Sequence, residues 1–196
     1  SGMNWIAAQI HLGVKPDGRF GPLSYAALLS YVSGRTIGTD ISASFAANLG
    51  AYGVEDSANR LAGFIGQTAH ESGGYRYTRE LWGPTAAQKR YDMRADLGNK
   101  PGDGYPFRGA GWIQVTGRHW FDVIGHSIGV DLIAHPEKAG EPGMATLISL
   151  EWWKRNGANG VADTGDFTRL SRLVNGGDNG LADRLALTAK ALKVLA

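Results

Sequence analysis

Apolar positions recur at helical spacing along most of this chain. Trp5, Ile6, Gln9, Ile10 and Leu12 mark a short helical start. Residues 15–22 (KPDGRFGP) are turn chemistry throughout, and the alanine- and leucine-rich stretch 22–32 reads as helix. Asp40 is placed to cap a helix reaching Leu49. Between 57 and 69, Leu61, Phe64, Ile65 and Thr68 fall on one helical face, and Gly73-Gly74 ends the run. From 83 to 109 the periodicity fades, and Pro84, Pro101, Gly102, Gly104 and Pro106 mark loops. Residues 112–115 (WIQV) are the best short strand candidate. Thr116 can cap a helix carrying His119, Trp120, Val123 and Ile124. Three more helices are expected: 144–155 stopped by Gly157, 166–174 stopped by Gly176-Gly177, and 181–195. The pattern predicts a mainly α fold with at most a very short β element. Its long central loops point to function, because structureless loops inside a compact domain are seldom idle.

Those loops adjoin the segment AHESGGYRYTRE (69–80), in which Glu71 and Glu80 stand nine positions apart. In one continuous helix the two carboxylates would lie on opposite faces, about 13 Å apart along the axis. Fully extended, they would be about 30 Å apart. Neither geometry lets both act on one bond. The double glycine lets the chain fold back, so that the two can face each other across a cleft. Hydrolysis of a glycosidic bond needs such a pair: one carboxyl protonates the leaving oxygen, and the other attacks the sugar or activates a water. Glu71, at the end of an apolar helix, is the better candidate for a carboxyl that keeps its proton. Glu80, beside Arg79 in a polar loop, is expected to stay ionised as the base. Tyr75, Tyr77 and Trp82 offer flat surfaces for sugar rings.

Composition narrows the alternatives. The 196 residues suit one domain, 1–196, with 3–34 as a helical hairpin packed on the rest. Ser1 and Gly2 ahead of Met3 read as a cloning remnant. Cysteine is absent, which excludes disulfides, thiolate metal sites and a cysteine nucleophile. His70-Glu71 begins like the zinc motif H-E-x-x-H, but Gly74 stands where the second histidine belongs, so no metal or other cofactor is expected. The net charge of +2 permits attraction to an anionic polymer. No lysine-arginine cluster interleaves with aromatics, which argues against nucleic acid. No apolar run approaches the roughly 20 residues of a membrane span, and no basic-then-apolar leader opens the chain.

Two further segments join FIGQTAHESGGYRYTRE (64–80): YPFRGAGWIQVTGRHWF (105–121) and LVNGGDNGLADR (173–184). Together they resemble the family 19 glycoside hydrolases, chitinase-like enzymes, and most of all their phage and prophage endolysin branch. The resemblance spans roughly residues 41–196. It implies a lysozyme-like, two-lobed helical domain with a substrate cleft between the lobes. It makes Glu71 the general acid and Glu80 the general base of an inverting reaction, with the wider carboxylate separation that inversion requires. Within Gln114-Val115-Thr116 it gives Thr116 a hydroxyl that helps hold the attacking water and sets Gln114 in the cleft wall. It sets Asn175 against substrate and places Arg184 in the matching terminal stretch, so the candidate substrate contacts are His70, Tyr75, Tyr77, Gln114, Asn175 and Arg184. Plant members have longer loops and disulfides, which this chain lacks, and the stretch between Glu80 and Tyr105 is unlike theirs.

Other features read more plainly. Gly125-His126-Ser127-Ile128-Gly129 matches the G-x-S-x-G elbow of serine hydrolases, but what precedes it is helical in period, so it reads as a glycine-rich helix end. Asp17-Gly18-Arg19-Phe20-Gly21-Pro22 resembles a turn of small wall-binding modules, yet too little chain precedes residue 41 to complete one. The basic last helix, with Arg184, Lys190 and Lys193, reads as core-packed. The expected function is that of an endolysin, a monomer acting on peptidoglycan glycan strands. It would be held in the host cytoplasm until released through a holin and would then act in the periplasm and cell wall. A bacterial chitinase, a lytic transglycosylase and a non-catalytic wall-binding protein are the alternatives.

Overall fold

One helix organises the molecule, a computed structural model that describes residues 3–81 and 83–196. This is α4, Ala58–Glu71, and its residues 61–69 are all buried. Ser57 starts it, its side chain accepting from the Arg60 N–H at 3.2 Å. Two glycines within it let other helices approach. A Cβ at Gly66 would lie 2.0 Å from Thr188 Oγ1, and one at Gly63 would lie 2.7 Å from Leu170 Cδ2. Thr188 belongs to α10, Leu181–Leu195, and Leu170 to α9, Phe167–Asn175. The central helix is thus clasped at close range by the last two.

Around α4 are gathered α1 (Trp5–Leu12), α2 (Pro22–Ser33), α3 (Thr39–Asn48) and the short α8 (Ala158–Asp163). Their shared core includes Tyr25, Leu28, Phe45, Leu61, Phe64 and Trp153. The α1–α2 hairpin is wired by buried Gln9, which accepts from the Gly18 N–H at 2.8 Å and donates to Asp17, Arg19 and Ser24. Phe20 in the turn stacks on Trp5, with ring centroids 4.8 Å apart. A second core holds Phe107, Ala110, Val115, Phe121, Ile124, Leu132 and Ile148. It is built from the central loops, from α6 (Arg118–Ile128) and from one face of α7 (Pro142–Arg155). Two cores make two lobes, and the side chain of Trp152 on α7 packs against both. The fold is the mainly helical, two-lobed one expected.

Four local expectations are corrected. Residues 112–115 do not form a strand. Trp112 and Gln114 sit in a turn, and the only β pairing recorded among the described residues is the isolated bridges Arg79↔Ala110 and Ala110↔Val115. The reason is Gln114, whose backbone is left-handed at φ 61°. Asp40 is not the cap of α3; Gly38 occupies that position and Asp40 lies in the first turn. Gly117, not Thr116, precedes α6, at φ 105°. Between 83 and 109 the chain is not all loop, for it contains α5, Ala86–Tyr91, opened by a capping box between Thr85 and Gln88. The 125–129 segment is the C-terminal turn of α6, closed by Gly129. The last helix is core-packed, with Thr188, Ala191 and Val194 buried. Trp82 and Ser1-Gly2, on which the sugar-platform and remnant readings fell, lie outside the described residues.

Candidate active site

Glu71 is the last residue of α4, and three left-handed residues follow its neighbour Ser72: Gly73 at φ 62°, Gly74 at 73° and Tyr75 at 65°. Glycine adopts this conformation freely, whereas at Tyr75 it costs about 1–2 kcal/mol. Burial outweighs that cost. The Tyr75 ring is 3 % exposed and packs edge-on to Phe45 and Trp112, with centroids 5.6 and 5.4 Å away. Its hydroxyl is 2.8 Å from Thr68 Oγ1. Desolvation pushes the Tyr75 phenol well above its ordinary pKa. Ser72 Oγ accepts from the Tyr75 N–H at 2.7 Å, and Arg35 donates to the Gly74 carbonyl at 2.7 Å. The fold-back expected of the double glycine is therefore present, and its anchor is the tyrosine after it. Tyr75 is a core residue, not a sugar platform.

The returning chain is stitched to the second lobe. The Glu80 N–H donates to the Gly109 carbonyl at 3.0 Å, and the Gly111 N–H donates to the Thr78 carbonyl at 2.8 Å. The result brings Glu71, Tyr77, Arg79, Glu80 and Gln114 to the lining of one cleft of about 420 Å³. Tyr77 is exposed at its edge. Arg79 donates to the Pro106 carbonyl at 2.8 Å; burial first, and then nearby Arg108, holds its pKa below the usual arginine value. An adjoining hollow is lined by Thr116, Trp120, Trp152 and Asn175, and Gln114 belongs to both. Thr116 thus lies beside the cavity of the glutamates rather than among its lining residues.

Glu71 is not in the apolar setting expected of it. Arg184, 1 % exposed on α10, donates from Nη2 to Glu71 Oε1 at 2.5 Å and from Nη1 to Gln67 Oε1 at 2.7 Å. Gln67 in turn donates to Ser171 at 2.9 Å, and the Asn175 amide oxygen lies 3.5 Å from the same Arg184 nitrogen. Arg184 is too buried to meet a polymer; it braces the carboxylate instead. His70 is likewise turned away. Its Nδ1 is 2.6 Å from Asp183 Oδ2, tying α4 to the first turn of α10. Neither residue is among those lining the glutamate cleft or the hollow beside it. Gln67, buried here, is marked in the sequence only as a polar residue four positions before Glu71 on an apolar helix. No cluster of metal ligands occurs among the described residues, nor is any helix among them long and apolar enough to cross a membrane.

A two-lobed helical domain whose cleft is lined by two glutamates has the kind of carboxyl pair that hydrolysis of a glycosidic bond needs. The likenesses to known proteins agree. Chitinase C from Streptomyces griseus superposes with a TM-score of 0.70 at 20 % identity, over 89 % of this chain and 93 % of that one. A family GH19, class IV chitinase from Zea mays gives 0.63 at 19 %, over 90 % and 92 %. A glycosyl hydrolase family 19 domain-containing protein of Haemophilus influenzae is 28 % identical over 153 residues, 63 % of this chain and 74 % of that protein. An acidic 27 kDa endochitinase of Solanum lycopersicum is 32 % identical over 101 residues, half of this chain but only 38 % of the enzyme. No family model matches the chain. The solved structures establish the fold. With the named relatives they support a family 19, chitinase-like assignment and hence a glycosidase.

Proposed function

We propose that this protein is an endolysin that hydrolyses β-1,4 glycosidic bonds of bacterial peptidoglycan by inversion. The observation that carries the reading is the single cleft lined by both Glu71 and Glu80, one from each lobe. Glu71 delivers a proton to the leaving oxygen through Oε2, while Arg184 grips Oε1. Glu80 accepts the proton of the attacking water on the other side of the sugar. Gln114, common to the cleft and its adjoining hollow, is better placed than Thr116 to hold that water. Tyr77 gives a sugar ring its flat contact. The +2 net charge suits an anionic wall polymer. In this reading a monomer acts on the wall after release through a holin. The second reading is a chitinase acting on β-1,4-linked N-acetylglucosamine, favoured by the endochitinases among the relatives the chain resembles.

The test is clearing of outer-membrane-permeabilised cells, followed by mass spectrometry of digested wall, with chitin oligomers in parallel. Reducing ends support hydrolysis, and anhydro ends mean a transglycosylase. Faster cleavage of chitin oligomers selects the second reading. Inversion is read from the anomer first released, by NMR. Glu71→Gln should lower turnover at least about 10²-fold with the fold intact; near-native activity in that variant removes Glu71 from the mechanism.

A further inference from the structure

Two backbone contacts hold the main chain of Glu80: its N–H donates to Gly109, and Arg108 Nε donates to its carbonyl at 2.8 Å. They leave the side-chain torsions free. The short contact to the carboxylate comes from Gln88, whose Nε2 donates to Glu80 Oε2 at 2.7 Å. The Gly109 N–H lies farther from the other oxygen, at 3.4 Å. Gln88 is 1 % exposed and is the third residue of α5. Its amide has a defined sense. Oε1 accepts from the Thr85 N–H at 2.8 Å, and because a backbone N–H can only donate, the NH₂ end must face Glu80. The short helix is itself clamped. A Cβ at Gly104 would lie 1.8 Å from the Gln88 carbonyl oxygen, and the Gly104 N–H donates to Asp92 at 2.7 Å.

We infer that Gln88 is a positioning residue for Glu80: the capping box that starts α5 also aims an amide N–H at the carboxylate and fixes its orientation in the cleft. This rests on the reading of Glu80 as general base. The stretch between Glu80 and Tyr105 then contains the orienter of the base. The other charged groups around Glu80 are Glu71 and Arg79 in the same cleft, Arg108 on its carbonyl, and Asp92 at the far end of α5.

The discriminating variant is Gln88→Glu. A capping box accepts glutamate as readily as glutamine, so the start of α5 survives. The donor to Glu80, however, becomes a second carboxylate, and two such groups at hydrogen-bond distance share a proton. With purified peptidoglycan or chitin oligomers, whichever the wild type cleaves faster, kcat should fall at least about 30-fold. KM should stay within about twofold, and the acid limb of the kcat profile should move up by about one pH unit or more. Gln88→Met removes the donor without adding charge and should lose about tenfold in kcat with a smaller shift of that limb. A wild-type kcat and pH profile in Gln88→Glu overturns the inference; if that variant does not fold, an unchanged kcat in Gln88→Met overturns it. Glu80→Gln, run alongside, separates the failures. If Glu80→Gln stays active, the two-glutamate reading falls and this inference with it. If Glu80→Gln is inactive while the Gln88 variants match wild type, only the inference falls.

Discussion

Replacing Gly66 by alanine sets two effects against each other in the middle of α4. Helix propensity favours the change, because glycine inside a helix is less favourable than alanine by about 1 kcal/mol. Packing opposes it. The new methyl would sit 2.0 Å from Thr188 Oγ1, 2.9 Å from the Thr188 nitrogen and 3.0 Å from its Cα. The hydroxyl can rotate away, although it then gives up its bond to the Arg184 carbonyl at 2.8 Å. The α10 backbone cannot rotate away, so the two helices must part. Overpacking of this kind costs about 1–3 kcal/mol, occasionally more, and the lost hydrogen bond adds about 1 kcal/mol. After the propensity gain the net loss is about 1–3 kcal/mol. In a domain this size each kcal/mol moves the melting temperature by about 2–4 °C, so Gly66→Ala should melt lower by about 2–12 °C. Moving α10 also displaces Arg184 from Glu71, so turnover should fall with it. The control is Gly160→Ala on α8, where an added Cβ meets nothing within 4 Å. It should raise the melting temperature slightly. Thermal unfolding of the three proteins by circular dichroism decides the matter. If Gly66→Ala melts at or above wild type, the close approach of α4 and α10 is wrong.

Two further outcomes follow from single side chains. Tyr75→Phe keeps the ring and removes the bond to Thr68, so it should cost about 1 kcal/mol of stability with KM unchanged; a tenfold rise in KM at unchanged stability would return Tyr75 to the substrate surface. Asp103 takes two hydrogen bonds from Arg118, at 2.7 and 3.0 Å, and that guanidinium, against an opposing desolvation, holds its carboxyl below the usual carboxylate range. Its pair therefore contributes fully above the unfolded value of about 4 and is lost as pH falls through the lower folded value. The stability gap between wild type and Asp103→Asn, from urea midpoints, should be flat above about pH 5 and narrow below about pH 4; a gap that widens on acidification contradicts the pairing.

The helices legible in the sequence were those that bury one continuous apolar face. The last helix has the bounds its periodicity predicts, and α4 extends only two residues beyond its apolar run. What periodicity missed is local in another sense. The short α5 lies among glycines and prolines, and only the Thr85–Gln88 box announces it. Gly38 and Gly117 outrank the nearby polar residues as helix starts because the entering backbone, not a side chain, decides there. The site was half readable. Two carboxylates and a double glycine indicate a fold-back, but burial of Tyr75 depends on Phe45 and Trp112, far away in sequence. The brace on Glu71 comes from Arg184, whose 113-residue separation no local pattern reveals.

The indole of Trp152 belongs to both lobes at once. Prising the two halves apart would strip that ring of neighbours on one side, so a wide jaw-like opening is disfavoured. On the proposed function, a glycan strand would meet a groove that is already shaped, with adjustment left to surface side chains such as Tyr77. Melting should accordingly be one event rather than two, because α7 gives Ala145, Leu150 and Trp153 to one interior and Ile148 to the other.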